Sequence, residues 1–147
     1  MTTDGVMVLA SLSSIRDNLK STIENISGLR VYDTVPDIVN PPGVVISPDR
    51  IEFATAMQRG FDEYNFDVLV LVSRASSRSG QDELDSYITG AGSTSIRQIL
   101  FNNSDLGLTD TDAFVESMTG YNASYEVNGR SLIGANLSVK VITKGTA

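Results

Sequence analysis

Ser131-Leu132-Ile133-Gly134-Ala135-Asn136-Leu137-Ser138-Val139-Lys140-Val141-Ile142-Thr143 is the stretch that decides the fold. Ile133, Ala135, Leu137, Val139 and Val141 alternate with Gly134, Asn136, Ser138 and Lys140. That period of two belongs to a β-strand with a core face and a wet face. Just upstream stands Asn128-Gly129, the pair that a two-residue type I′ hairpin favours because both positions take positive φ. Residues 113–127 therefore read as a second long strand folded back on the last one.

Working toward the N-terminus, residues 64–73 form the next clear strand. Phe66, Val68, Val70 and Val72 line one face, with Asp67, Leu69 and Leu71 on the other. A strand apolar on both faces belongs at the centre of a sheet. Between it and the hairpin lie two short helices, at 81–88 and 95–101. Ser79 is the expected N-cap of the first, with Asp82 and Glu83 near the positive end of its dipole. Residues 76–80 and 102–112 are polar, turn-rich connections.

The first part of the chain supplies a helix and weaker strands. Val6, Leu9, Leu12, Ile15, Leu19, Ile23 and Ile26 recur at spacings of three and four, which predicts an amphipathic helix over 3–26 ended by Gly28. Leu29-Arg30-Val31-Tyr32 reads as a short strand. Pro36, Pro41 and Pro42 then enforce a loop. Residues 43–46 form another strand, closed by Ser47-Pro48. The segment 51–57 lacks a clean period and is assigned as a weak strand. The order of helix, strands, helices and hairpin predicts one α+β domain over 1–147, with a mostly antiparallel sheet.

Composition narrows function by exclusion. Eleven basic against eighteen acidic residues leave a net charge of −7, a field that repels phosphate backbones and anionic membranes. Met1-Thr2-Thr3-Asp4-Gly5 carries an acid where a signal peptide carries bases, and no apolar run reaches membrane-spanning length, so synthesis in a cytoplasm is expected. The chain has no cysteine and no histidine, which removes the usual nucleophile–base pairs and the usual soft or borderline metal ligands. Lys20, Lys140 and Lys144 all read as exposed rather than catalytic. Asp62, Glu63 and Asp67, and Asp82, Glu83 and Asp85, are the two clusters with the chemistry for a hard cation such as magnesium. Solvated faces, a subunit contact at Asp67 and a helix N-terminus explain them better, and no metal or cofactor is assigned. No phosphate-cradling glycine motif occurs.

Two segments stand out as contact surfaces. Met57-Gln58-Arg59-Gly60-Phe61-Asp62-Glu63-Tyr64 puts charge and aromatic rings just before the central strand. Ser73-Arg74-Ala75-Ser76-Ser77-Arg78 puts two arginines just after it. Arginine pairs bidentately with partner carboxylates. Arg59, Arg74 and Arg78 are the candidate interface donors, and Phe61 and Tyr64 the candidate packing anchors. The alternative for the first segment is a loop with its tyrosine packed on the sheet, and for the second a solvated loop.

The succession Leu29-Arg30-Val31-Tyr32-Asp33, Asn40-Pro41-Pro42, Arg59-Gly60-Phe61-Asp62-Glu63-Tyr64, Val72-Ser73-Arg74-Ala75-Ser76 and Gly80-Gln81-Asp82 resembles the tail-terminator proteins of actinobacterial siphophages. The resemblance runs from about Leu29 to Val141 and rests on the order of segments. It implies a virion structural protein at the junction of neck and tail. Such a subunit forms a homo-hexameric ring on the head-proximal end of the tail tube, stops polymerisation of the major tail protein and presents a docking surface to the neck. Genomic DNA passes through the lumen without specific binding. The family offers no catalytic residues to carry over. A head-to-tail stopper or adaptor is the nearest alternative, and a metal-dependent enzyme with an all-carboxylate site is the alternative of a different class.

Overall fold

The computed structural model describes residues 11–33, 39–53, 61–73, 77–108, 110–127 and 129–144. The fold is α+β. In chain order the elements are α1 (Leu12–Ile23), β1 (Arg30–Tyr32), β2 (Gly43–Glu52), β3 (Phe61–Ser73), α2 (Ser77–Ile88), α3 (Ile96–Asn102), β4 (Thr111–Val127) and β5 (Arg130–Lys144). The five strands make one sheet in the order β1-β2-β3-β5-β4. Only β1 and β2 run parallel; the other neighbours are antiparallel.

The central position of β3 follows from its composition. Tyr64, Phe66, Val68, Val70 and Val72 face the main core, shared with Ile133, Ala135, Leu137, Val139 and Val141 of β5. The helices supply the rest of it, through Ile15, Leu19 and Ile23 of α1, Leu84 and Tyr87 of α2, and Ile96 and Leu100 of α3. Leu71 turns to the other side of the sheet, where it closes a second, smaller cluster with Val39, Val45 and Leu132, flanked by Tyr32, Leu69 and Tyr125. The face expected to be wet along β5 is therefore dry at one end. Gly134 lies buried there, while Asn136, Ser138 and Lys140 remain half-buried.

The helix boundaries depart from the sequence reading. α1 starts at Leu12, where Ser11 and Ser14 form a reciprocal capping box that satisfies amide protons left over at a helix start. The part of the expected helix before Ser11 lies outside the described residues. α1 ends at Ile23, short of the expected Ile26, and Gly28 follows with φ +80°. α2 starts at Ser77, so Ser79 lies inside the helix and is not its N-cap. Gly80 permits this early start. A Cβ there would stand 2.6 Å from the Ser73 carbonyl oxygen, so only glycine lets the helix begin that close to the strand it follows. α3 agrees closely with expectation, with Ser95 as its N-cap accepting from the Gln98 amide.

β2 does not stop at Ser47-Pro48. It continues to Glu52, with Pro48 opposite Phe66 and a bulge between Pro48 and Arg50. β1 pairs with β2 only at Gly43–Val45, so Pro48 stands where the strand's outer edge has no pairing strand among the described residues. Proline, lacking an amide proton, is tolerated there. Of the weak strand at 51–57, Ile51 and Glu52 complete β2, and 54–57 lie outside the described residues. The expected two-residue hairpin is reflected in the register, where Val127 pairs with Arg130 and Gly129 has φ +80°; Asn128 lies outside the described residues.

Among the irregular segments, Leu106 is held at φ +52° while its side chain is buried. Its carbonyl accepts from Asn18 Nδ2 at 2.7 Å. That bond joins α1 to the turn before β4 and helps offset the cost of a branched residue in the left-handed region.

Candidate functional site

Of the contact residues inferred from sequence, Phe61 and Arg78 lie toward opposite ends of β3. Phe61 opens the strand and is 42% exposed. Tyr64, three residues on, points to the other face and is only 8% exposed, packed in the main core. Burial, with Asp62 nearby, holds its phenol above the ordinary value. The Tyr64 ring is thus occupied within the chain's own core, which leaves Phe61 as the exposed aromatic of the pair. Arg59 and Arg74 lie outside the described residues. The Arg78 backbone sits in the first turn of α2, near the Ser73 end of the strand; its side chain is not described. β3 is 13 residues long, so at about 3.3 Å per residue its ends are roughly 40 Å apart. The structure does not bring Phe61 and the Arg78 segment into one site.

The Phe61 end of the sheet is a network of paired charges on its open face. Glu52 and Glu63 stand opposite each other across β2 and β3, an arrangement that is unfavourable unless counter-charges intervene. They do. Arg50 Nη2 lies 2.7 Å from Glu52 Oε2. Lys140 Nζ on β5 lies 3.5 Å from Glu63 and 3.0 Å from Glu116 on β4. Asn65 Nδ2 donates to Glu63 at 3.0 Å. The Asn65 bond, then the Lys140 charge, hold the Glu63 carboxyl below its ordinary range against the opposing effect of burial. Lys140 is raised, first by its bond to Glu116 and then by the Glu63 charge.

This network makes a pH prediction. A carboxyl whose folded value is depressed contributes stability above its unfolded value and loses it as pH falls through the folded one. Asn65→Ala and Lys140→Met are therefore each expected to raise the Glu63 titration, followed by carboxyl NMR. An unchanged titration in both variants would show that the network does not hold Glu63.

Neither acidic cluster assembles into a cation cage. Asp62 alternates away from Glu63 and Asp67, and Asp67 accepts from Asn136 Nδ2 at 3.0 Å. Asp85 on α2 accepts from the Tyr121 hydroxyl at 2.6 Å. Among the described residues no three acidic side chains converge. Nor is any described helix long and apolar enough to cross a membrane.

The chain matches no protein-family model and no curated protein. Function must therefore be read from its surface.

Three features escape the sequence reading. Phe53 ends the β2 run 69% exposed, on the other side of the segment 54–60 from Phe61. Phe101 is 67% exposed, with the Arg97 guanidinium 6.0 Å above its ring. It lines a groove of about 410 Å³ between α3 and β4, together with Asp112, Phe114 and Val115. A signal for Phe101 exists in the sequence: Ile96, Ile99 and Leu100 already fill the buried stripe of α3, so the next residue turns off it. The third feature is the sheet edges. The bulge in β2 carries Asp49, that in β4 carries Glu116, and a second β4 irregularity spans Gly120 to Asn122. Bulges and charge at an edge oppose pairing with another strand, so these edges suit contacts through side chains better than sheet extension.

Proposed function

We propose that the chain is a non-catalytic virion structural subunit that forms a homo-hexameric ring on the head-proximal end of a siphophage tail tube. In this reading the ring ends polymerisation of the major tail protein and offers its other face to the head-to-tail neck or stopper protein. DNA crosses the lumen without specific binding, as the net charge of −7 favours. The resemblance in segment order suggests the family. The observation that carries the reading is that exposed Phe61 and the start of α2 stand at opposite ends of the central strand. That separation leaves room for two unlike patches, as a head-to-tail ring needs when each subunit meets its two neighbours through different surfaces. Exposed Phe53 and Phe61 at one end suit packing anchors, and Arg78 lies in the first turn of α2 at the other.

Solution mass by light scattering, followed by negative-stain imaging, tests this directly. A closed ring of about six subunits is the expected species, since a head-to-tail contact closes when its rotation divides the circle. Arg74→Glu with Arg78→Glu is expected to abolish ring formation and leave the circular dichroism and thermal midpoint unchanged. A double variant that still assembles would remove those arginines from the interface. A chain that stays monomeric both alone and mixed with tail-tube subunits would overturn the proposal. Binding to a neck component in place of the tube would favour the stopper or adaptor reading, and heat on titration with magnesium or manganese would favour the carboxylate-enzyme reading.

A further inference from the structure

We draw no further inference here: the strongest candidate, the apolar groove between α3 and β4 around Phe101 and Phe114, carries no proposal because nothing in the structure shows what covers it.

Discussion

Phe66→Ala is expected to lower the unfolding free energy by about 3–5 kcal/mol, the usual loss when a fully buried aromatic is truncated and leaves a cavity. Phe66 is 1% exposed at the middle of the central strand. Its cross-strand partners are Pro48 on β2 and Val139 on β5, so strands on both sides limit how far the site can collapse. Domains of this size are stable by only about 5–15 kcal/mol, so one truncation removes a large share of the total. In urea the midpoint is expected to fall with little change in slope, because the surface exposed on unfolding is nearly the same. Phe66→Leu keeps most of the apolar contact and is expected to lose less. A loss below about 1 kcal/mol for the alanine variant would contradict a close-packed centre and point to a loosely filled one.

Gly134→Val is expected to be nearly as damaging, for the opposite reason. A Cβ at this position would run into the Val70 carbonyl oxygen and come within 2.8 Å of Leu71 Cδ2 and 3.2 Å of Tyr125 Cε2. Leu71 and Tyr125 can rotate. The Val70 carbonyl belongs to β3 and cannot yield without moving the neighbouring strand. Overpacking of this kind costs about 1–3 kcal/mol where side chains alone must adjust, and a backbone clash puts valine at or above the top of that range. Gly90→Ala is the control: nothing lies within 4 Å of its added Cβ, so the change is expected to stay within about 0.5 kcal/mol. Equal effects at the two glycines would show that β5 does not approach β3 as closely at Gly134 as the structure has it.

The Gly134 contact illustrates what local pattern conveys and what it omits. The alternation in β5 assigns Gly134 to the wet face, and for Asn136, Ser138 and Lys140 that side is indeed the open one. Leu69 and Leu71 of β3 point to the same side, and with Val45, Leu132 and Val39 they dry one end of it. Alternation says which side a residue occupies. It does not say whether another segment comes to lie over that side.

The helix starts show the same division. Hydrophobic spacing places the buried stripe of α1 on Ile15, Leu19 and Ile23, yet it cannot show that Ser11 and Ser14 close the helix at its first described turn. The early start of α2 depends on how closely its backbone passes Ser73, a distance set by the sheet. Pro48 reads as a strand terminator until its outer edge is seen to have no pairing strand among the described residues. For the contact residues, sequence order joined Phe61, Tyr64, Arg74 and Arg78 around one strand. The strand's own length then separates its two ends, and the core takes Tyr64.

By itself, then, the sequence determined the α+β class, the central place of β3, and the closing strand pair with Val127 opposite Arg130, because these rest on periodicity and turn chemistry within a few neighbouring residues. The tertiary structure alone decided the parallel β1–β2 pair, the second apolar cluster, and the pairing of Lys140 with Glu63 and Glu116. Each of these depends on residues far apart in the chain meeting in space, and no local pattern records that distance.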